Sequence, residues 1–263
     1  MNIVVCVKQV PDTWSEKRLT DADSTLDRAS TDPVMNEMDE YAVEEALRLQ
    51  EAHGGEVTLL CMGPDSATDT IRKALSMGAD KAIHVLDDGL HGSDAVATSL
   101  ALSAAVGKAV DDGGVDLVLL GSESSDARMS VVPAMLAERL GWPQLTFAKE
   151  VTVEGSSVRI KRLTDDGYLA VEAPTPAVVS VVEKINEPRY PSFKGIMAAK
   201  KKPVATYALG DLGIDADAVG LGGAWSRVES FELAPPRQAG TVVTDDGDGA
   251  EKLVEFLAAN KFV

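Results

Sequence analysis

Four short runs of aliphatic residues constrain this chain more than any other feature. They are "NIVVCVK" (2–8), "EVTLLCMG" (56–63), "KAIHVL" (81–86) and "VDLVLLG" (115–121). Each is nearly continuous in apolar residues and ends in polar residues or glycine, so both faces of an extended segment would be apolar. That pattern suits strands buried on both sides, as in a parallel sheet. Segments with helical periodicity lie between them. "DEYAVEEALRLQEAHGG" places Val43, Ala46, Leu47 and the stem of Gln50 on one face, with Gly54 or Gly55 to stop it. "DSATDTIRKALSMGAD" offers Asp65 or Ser66 as N-cap, Ile71, Ala74 and Leu75 as its buried stripe, and Gly78 as its end. "GSDAVATSLALSAAVGKAV" reads as an Ala-rich helix capped near Ser93. Strand and helix alternating in this way predict right-handed βαβ units and a doubly wound, mostly parallel, Rossmann-like α/β sheet.

The pattern changes near residue 145. The stretch 145–184 reads as strands broken by the turn signals "EGSS" and "DDG", a β-rich extension added as hairpins to the same sheet. Beyond "KKKP" the chain is rich in Gly, Asp and Pro, which predicts an extended arm that packs on something else, ending in a short helix, "AEKLVEFLAANKFV". The expected organisation is an α/β nucleotide-binding domain over 1–205 and an arm over 206–263.

The formal net charge of −17 argues against nucleic acid as a partner, because phosphate contacts need a basic face. No apolar run approaches the roughly 20 residues of a membrane span, so no membrane insertion is expected. The opening "MNIVVCVKQV" enters a strand directly, which argues for a cytoplasmic protein. Cys6 and Cys61 lie inside apolar runs and read as buried core thiols, and His53, His84 and His91 lack metal-ligand spacing.

Ligands of open parallel sheets bind at the carboxyl ends of the strands. Here those ends are Cys6–Val7–Lys8, Met62–Gly63–Pro64, Val85–Leu86–Asp87 and, above all, "LLGSESSDARMSVV" (119–132). In the last, Gly121 permits a sharp turn. Ser122, Ser124, Ser125 and Ser130 can then donate to phosphate oxygens ahead of a helix expected to begin near Met129. No GxGxxG, GxxxxGK[ST] or GxSxG motif occurs, and paired acids such as Asp165–Asp166 fall in turns. A nucleotide-type loop without a reacting centre predicts a binding subunit with no substrate turnover of its own.

Several stretches resemble the β subunit of electron transfer flavoproteins: "VVCVKQVPD", "MNEMDEYAVEEALRL", "IRKALSMGADKAIHV", "DLVLLGSES" with "GWPQLTF", "PAVVSVVEKINEPRYPSFKGIMAAKKK" and "GDLGID". The resemblance implies a heterodimer with an α subunit on which the arm packs, an FAD held mainly by that partner, and a structural AMP in this chain. It implies electron flow from acyl-CoA and related flavin-dependent dehydrogenases to a membrane quinone reductase. By position, the AMP contacts fall on Cys6, on Asn36 to Asp39, on Met62, and on the loop carrying Gly121, Ser122, Ser124, Ser125, Asp126, Met129, Ser130, Val131 and Val132. In "SSDARMSVVP", Arg128 and Met129 replace small residues, so that Arg128 either crowds a phosphate or pairs with it. Thr13 or Trp14 stands where the family places an aromatic near the flavin, and Leu169 stands where an acid or amide is usual.

In the segment 186–203 the same resemblance implies a recognition loop with Phe193 as its anchor. Lys194, Ile196, Met197 and Lys200 line it, and the run Lys200, Lys201, Lys202 steers it toward an acidic partner. The alternative is a short helix whose Phe193, Ile196 and Met197 belong to the core. Two further readings compete with the carrier subunit: a bifurcating flavoprotein subunit with a second FAD in place of AMP, and a stand-alone nucleotide-binding α/β protein.

Overall fold

The computed structural model describes residues 1–236, 240 and 242–263; residues 237–239 and 241 of the expected arm lie outside the described residues. It divides into two compact units, Met1–Glu229 and Ser230–Val263.

The first unit is built on β1 (Asn2–Cys6), followed by a short antiparallel pair, β2 (Gln9–Pro11) and β3 (Pro33–Met35). Then come α1 (Glu37–His53), β4 (Glu56–Met62), α2 (Ala67–Met77), β5 (Lys81–Val85), α3 (Ala95–Asp111), β6 (Leu117–Gly121) and α4 (Val132–Leu140). The β-rich segment forms β7 (Gln144–Glu154), β8 (Ser157–Thr164), β9 (Gly167–Pro174) and β10 (Ala177–Val181). After it lie α5 (Phe193–Ala199), β11 (Val204–Tyr207) and the single turn α6 (Gly220–Gly223). The second unit contains α7 (Gly249–Ala259).

Nine strands make one sheet in the order β11-β5-β4-β1-β6-β10-β7-β8-β9. All neighbours from β11 to β7 run parallel, and β8 and β9 extend the sheet as antiparallel hairpins. The expected doubly wound α/β fold is therefore present, and the β-rich segment joins the same sheet. The aliphatic runs are continuous because alternate residues serve opposite cores. Ile3, Val5, Leu59, Cys61, Leu117 and Leu119 pack on one face with Val43, Leu47, Ile71 and Leu75 of α1 and α2. Val4, Cys6, Leu60, Val118 and Leu120 pack on the other with Ala101, Ala105 and Leu136 of α3 and α4. Both cysteines are free and buried, as their apolar surroundings predict. Burial pushes the Cys61 thiol up to about 12, aided by the charge of Asp39, so it stays protonated at neutral pH.

Helix ends follow the expected stops: Gly54 ends α1 and Gly78 ends α2. Two boundaries differ from the sequence reading. α3 is capped by Asp94, whose side chain accepts from Ala97 N, one residue beyond Ser93. α4 begins at Val132 rather than near Met129, because Arg128 (φ 49°) and Ser130 (φ 55°) take left-handed backbone that a helix cannot include. Residues 204–207 pair with β5 as a parallel edge strand, and Leu209 and Val219 are buried in the first unit.

Among the described residues, no helix is long and apolar enough to cross a membrane.

Leu59 lies on a central strand with no exposed surface. Leu59→Ala is expected to cost about 3 kcal/mol, from lost burial plus the cavity left behind. Urea unfolding of wild type and variant checks this; an unshifted midpoint would show that the site collapses around the smaller side chain.

Candidate functional site

The carboxyl ends of β1 and β6 meet the start of α1, and a buried carboxylate joins them. Asp39 accepts from Lys8 N at 2.8 Å and from Asn36 Nδ2 at 2.9 Å, and Gly121 at the end of β6 lies against it. Gly121 is required here by close approach: a Cβ would lie 2.5 Å from Met38 Cβ and 2.7 Å from Asp39 Oδ1. Asn36 is 1% exposed and extends the network. Its amide donates to Glu123 O at 3.0 Å, and its Oδ1 accepts from Ser125 N at 3.0 Å. The loop after β6 is thus held to α1 by one asparagine side chain.

Burial pushes the Asp39 carboxyl up to about 7, against the hydrogen bonds from Asn36 and Lys8 N and the charge of Lys8.

Asp126 is the second buried acid, its side chain 1% exposed. Lys8 Nζ lies 2.8 Å from it and Arg28 Nη2 2.6 Å. Burial alone would raise its carboxyl, but Lys8, Ser124 and Arg28 together hold it well below the usual carboxylate range. Lys8 also donates to Ser124 Oγ at 3.3 Å, and Lys17 Nζ to Ser125 O at 3.3 Å. The long excursion between β2 and β3 is therefore fastened to the β6–α4 loop by two cations, Lys17 and Arg28, while Lys8 ties the end of β1 to the same loop. Sequence reading marked Lys8 only as part of a strand end and Glu123 only as part of the loop, and gave Lys17 and Arg28 no place in the site. A lysine directly after the apolar run of β1 was the available signal; Arg28 carried none, because it is distant in sequence.

The loop also has features that suit an anion. Left-handed backbone at Arg128 and Ser130, with one residue between them, departs from the usual helical approach to α4. The first turn of α4 has no side-chain cap, so its amides retain donor capacity. Ser125 Oγ is buried and has no hydrogen-bond partner among the described residues. A buried hydroxyl without a partner is costly, and a nucleotide phosphate or ribose would satisfy it. These residues fit a bound nucleotide.

The structure brings Asn36, Asp39, Ser124, Ser125 and Asp126 into one hydrogen-bonded group with Lys8, with Gly121 packed against Asp39. Ser122 is buried, its amide donating to Val181 O, and Ser130 Oγ donates to Glu123 Oε2 at 2.9 Å. Cys6 lies at the end of β1 near Asp39, whose charge adds to burial in raising its thiol. Met62 ends β4 at the same edge of the sheet, without a hydrogen bond into the loop. Met129 is 54% exposed, Arg128 is exposed, and Val131 and Val132 are half-buried at the start of α4. In the excursion after β2, Thr13 Oγ1 donates to Glu37 Oε1 at 3.5 Å, whereas Trp14 is 95% exposed.

A second surface is formed by 186–203. The segment does contain a short helix, α5, but its apolar side chains are not core: Phe193 is 80% exposed, and Ile196 and Met197 are about half exposed. Tyr190 stands beside them, fully open to solvent, and Lys194, Lys200 and Lys201 are exposed. Lys202 differs from the expected steering role. Its Nζ donates to Leu75 O, Gly78 O and Ala79 O at 3.1, 3.0 and 2.6 Å, so its charge is spent on the end of α2. On the other side of the segment, Arg189 forms a two-pronged pair with Glu44 at 2.7 and 2.9 Å and reaches Glu51 at 2.6 Å.

If burial dominates at Asp39, the native state binds a proton that the unfolded chain has released between about pH 4 and 7. Stability of the wild type is then expected to fall across that window relative to Asp39→Asn, which has no charge to bury. Denaturation of both proteins at about pH 5 and pH 7.5 checks the sign; parallel curves would mean that the carboxylate is already ionised at the lower pH.

The electron transfer flavoprotein domain family matches residues 23–212. Electron transfer flavoprotein subunit beta of Mycobacterium leprae is 52% identical over 100% of this chain and 99% of its own length. The subunit of the same name from Megasphaera elsdenii is 37% identical over the full length of both chains. The acryloyl-CoA reductase electron transfer subunit gamma of Anaerotignum propionicum is 36% identical over 98% of this chain and 97% of its own. With that coverage and a matching α/β fold, the chain belongs to the electron transfer flavoprotein family, as a β-type subunit.

Proposed function

We propose that this chain is the β subunit of a heterodimeric electron carrier that accepts electrons from acyl-CoA and related flavin-dependent dehydrogenases and delivers them to a membrane quinone reductase. The observation that carries the reading is the exposed row Tyr190, Phe193, Ile196 and Met197 flanked by Lys194, Lys200 and Lys201, in a chain of net charge −17. Such a surface is poorly suited to solubility and well suited to brief docking: an aromatic anchor enters a dry pocket while the cations orient approach to an acidic partner. The relative named as an electron transfer subunit of an acryloyl-CoA reductase supports a partner that acts on a CoA thioester.

FAD, held mainly by the α subunit, supplies the electron acceptance and release. This chain's part is to bind and orient. The Trp14 indole, 95% exposed and without a hydrogen bond among the described residues, is the side chain free to approach a flavin, whereas Thr13 Oγ1 is engaged with Glu37. A structural AMP would be held at Cys6, Asn36, Asp39 and Met62 and along the loop from Gly121 to Val132. Ser125 Oγ and the amides at the start of α4 would meet its phosphate, with Lys8 and Arg28 supplying positive charge nearby. We place the last segments, with the apolar side chains Leu253, Val254 and Phe256 of α7, against the α subunit. The carrier works in the cytoplasm and turns over no substrate of its own.

Phe193→Ala in the purified heterodimer is expected to leave FAD content unchanged and to slow reduction by an acyl-CoA dehydrogenase by about 30-fold, as truncation of a ~2 kcal/mol anchor requires. Unchanged reduction kinetics would remove the anchor assignment. Nucleotide released by acid from the same heterodimer is expected to be one AMP beside one FAD. Two flavins per heterodimer would instead assign the loop at 121–132 to a second FAD and a bifurcating role.

A further inference from the structure

We infer that Arg72 and Lys202 are positioning residues for docking: each caps the helix of the other, and together they hold α5 on α2 in the orientation that presents Phe193. The inference rests on the docking role proposed for α5.

A helix of seven residues does not persist on its own in water, because nucleation costs more than so few hydrogen bonds return. What holds α5 must therefore come from outside it. Its N-terminus is capped locally, Ser192 Oγ accepting from Gly195 N at 3.1 Å. Its C-terminus is capped by α2: Arg72 Nη1 donates to Ala199 O at 2.7 Å and Lys202 O at 2.8 Å. In return Lys202, just past α5, donates to Leu75 O in the last turn of α2 and to Gly78 O and Ala79 O directly after it. Two helix C-termini, each with unpaired carbonyls and the negative end of a dipole, thus exchange cations. Either cap alone would satisfy one helix; the exchange fixes the position of both.

Packing between the two helices reinforces this. Gly195 approaches Ser76 O so closely that a Cβ would lie 2.5 Å from it. Ala199, the one buried residue of α5, inserts into the core beside α2. The segment leading into α5 is fixed separately, through Arg189 on Glu44 and Glu51 of α1. With its inner face seated on α2, the helix leaves Phe193, Ile196 and Met197 outward. An anchor already ordered before encounter loses less freedom on binding, which strengthens association without any new contact to the partner.

The test uses the FAD-loaded heterodimer, with an acyl-CoA dehydrogenase held reduced by its acyl-CoA substrate as electron donor. Arg72→Gln and Lys202→Met are expected to raise the dehydrogenase's KM for the heterodimer roughly tenfold with its kcat changed less than about twofold. Reduction by dithionite, which needs no docking, should keep its wild-type rate. Lys202→Arg, which can still donate to the α2 carbonyls, should restore KM. Gly195→Ala, which moves α5 off Ser76 without altering charge, should raise KM as the cap variants do, and it serves if they fail to assemble. If Phe193→Ala raises KM while the cap variants and Gly195→Ala do not, the positioning role is wrong and the docking role stands. If Phe193→Ala also leaves KM unchanged, the docking role itself falls, and the inference with it.

Discussion

The site depends on one buried carboxylate, Asp39. It accepts from the end of β1 and from the residue that precedes α1, and the end of β6 packs directly against it. Both donors would otherwise be unpaired groups at the edge of a dry core, and each is costly to leave unsatisfied. The carboxylate satisfies both, and β6 comes this close to α1 because Gly121 tolerates the approach. Asn36 then carries the constraint outward to Glu123 and Ser125, so the geometry of the loop is set from inside the protein.

Outside that centre, cations organise the surface of a strongly acidic chain. Arg28 and Lys17 fasten the excursion bearing Trp14 to the β6–α4 loop, Lys8 ties the end of β1 to the same loop, Arg189 fastens the approach to α5, and Arg72 and Lys202 fasten α5 itself. Most of these basic residues are thus committed to tertiary structure. Lys194, Lys200 and Lys201 remain exposed on the docking segment, which makes it a local exception in a field of negative charge. That contrast would steer a partner more than their number suggests.

Much of the fold was legible from period and punctuation. The aliphatic runs are strands because residues such as Val4 and Val5 must each find a different core, and the glycines at 54 and 78 mark helix ends because the backbone there needs no Cβ. The strand ends that would hold a ligand followed from topology. What was not legible depended on partners far along the chain. Arg28 has no local reason to meet Asp126, and Lys202 reads as one of three equivalent lysines until α2 ends against it. The start of α4 was missed because left-handed backbone at Arg128 and Ser130 has no glycine to announce it. Phe193, Ile196 and Met197 have the spacing of a buried stripe, and only the placement of α5 shows that stripe facing out.

The position of α5 in the chain has a further consequence. It sits within the crossover from β10, in the middle of the sheet, to β11 at its edge. Its inner side, Gly195 and Ala199, is bound to the architecture, while Phe193, Ile196 and Met197 touch little of it. Substitutions on the outer side are therefore nearly free of consequence for folding. A lineage can exchange these few side chains, and with them the chemistry of this surface, while the scaffold that carries them stays the same.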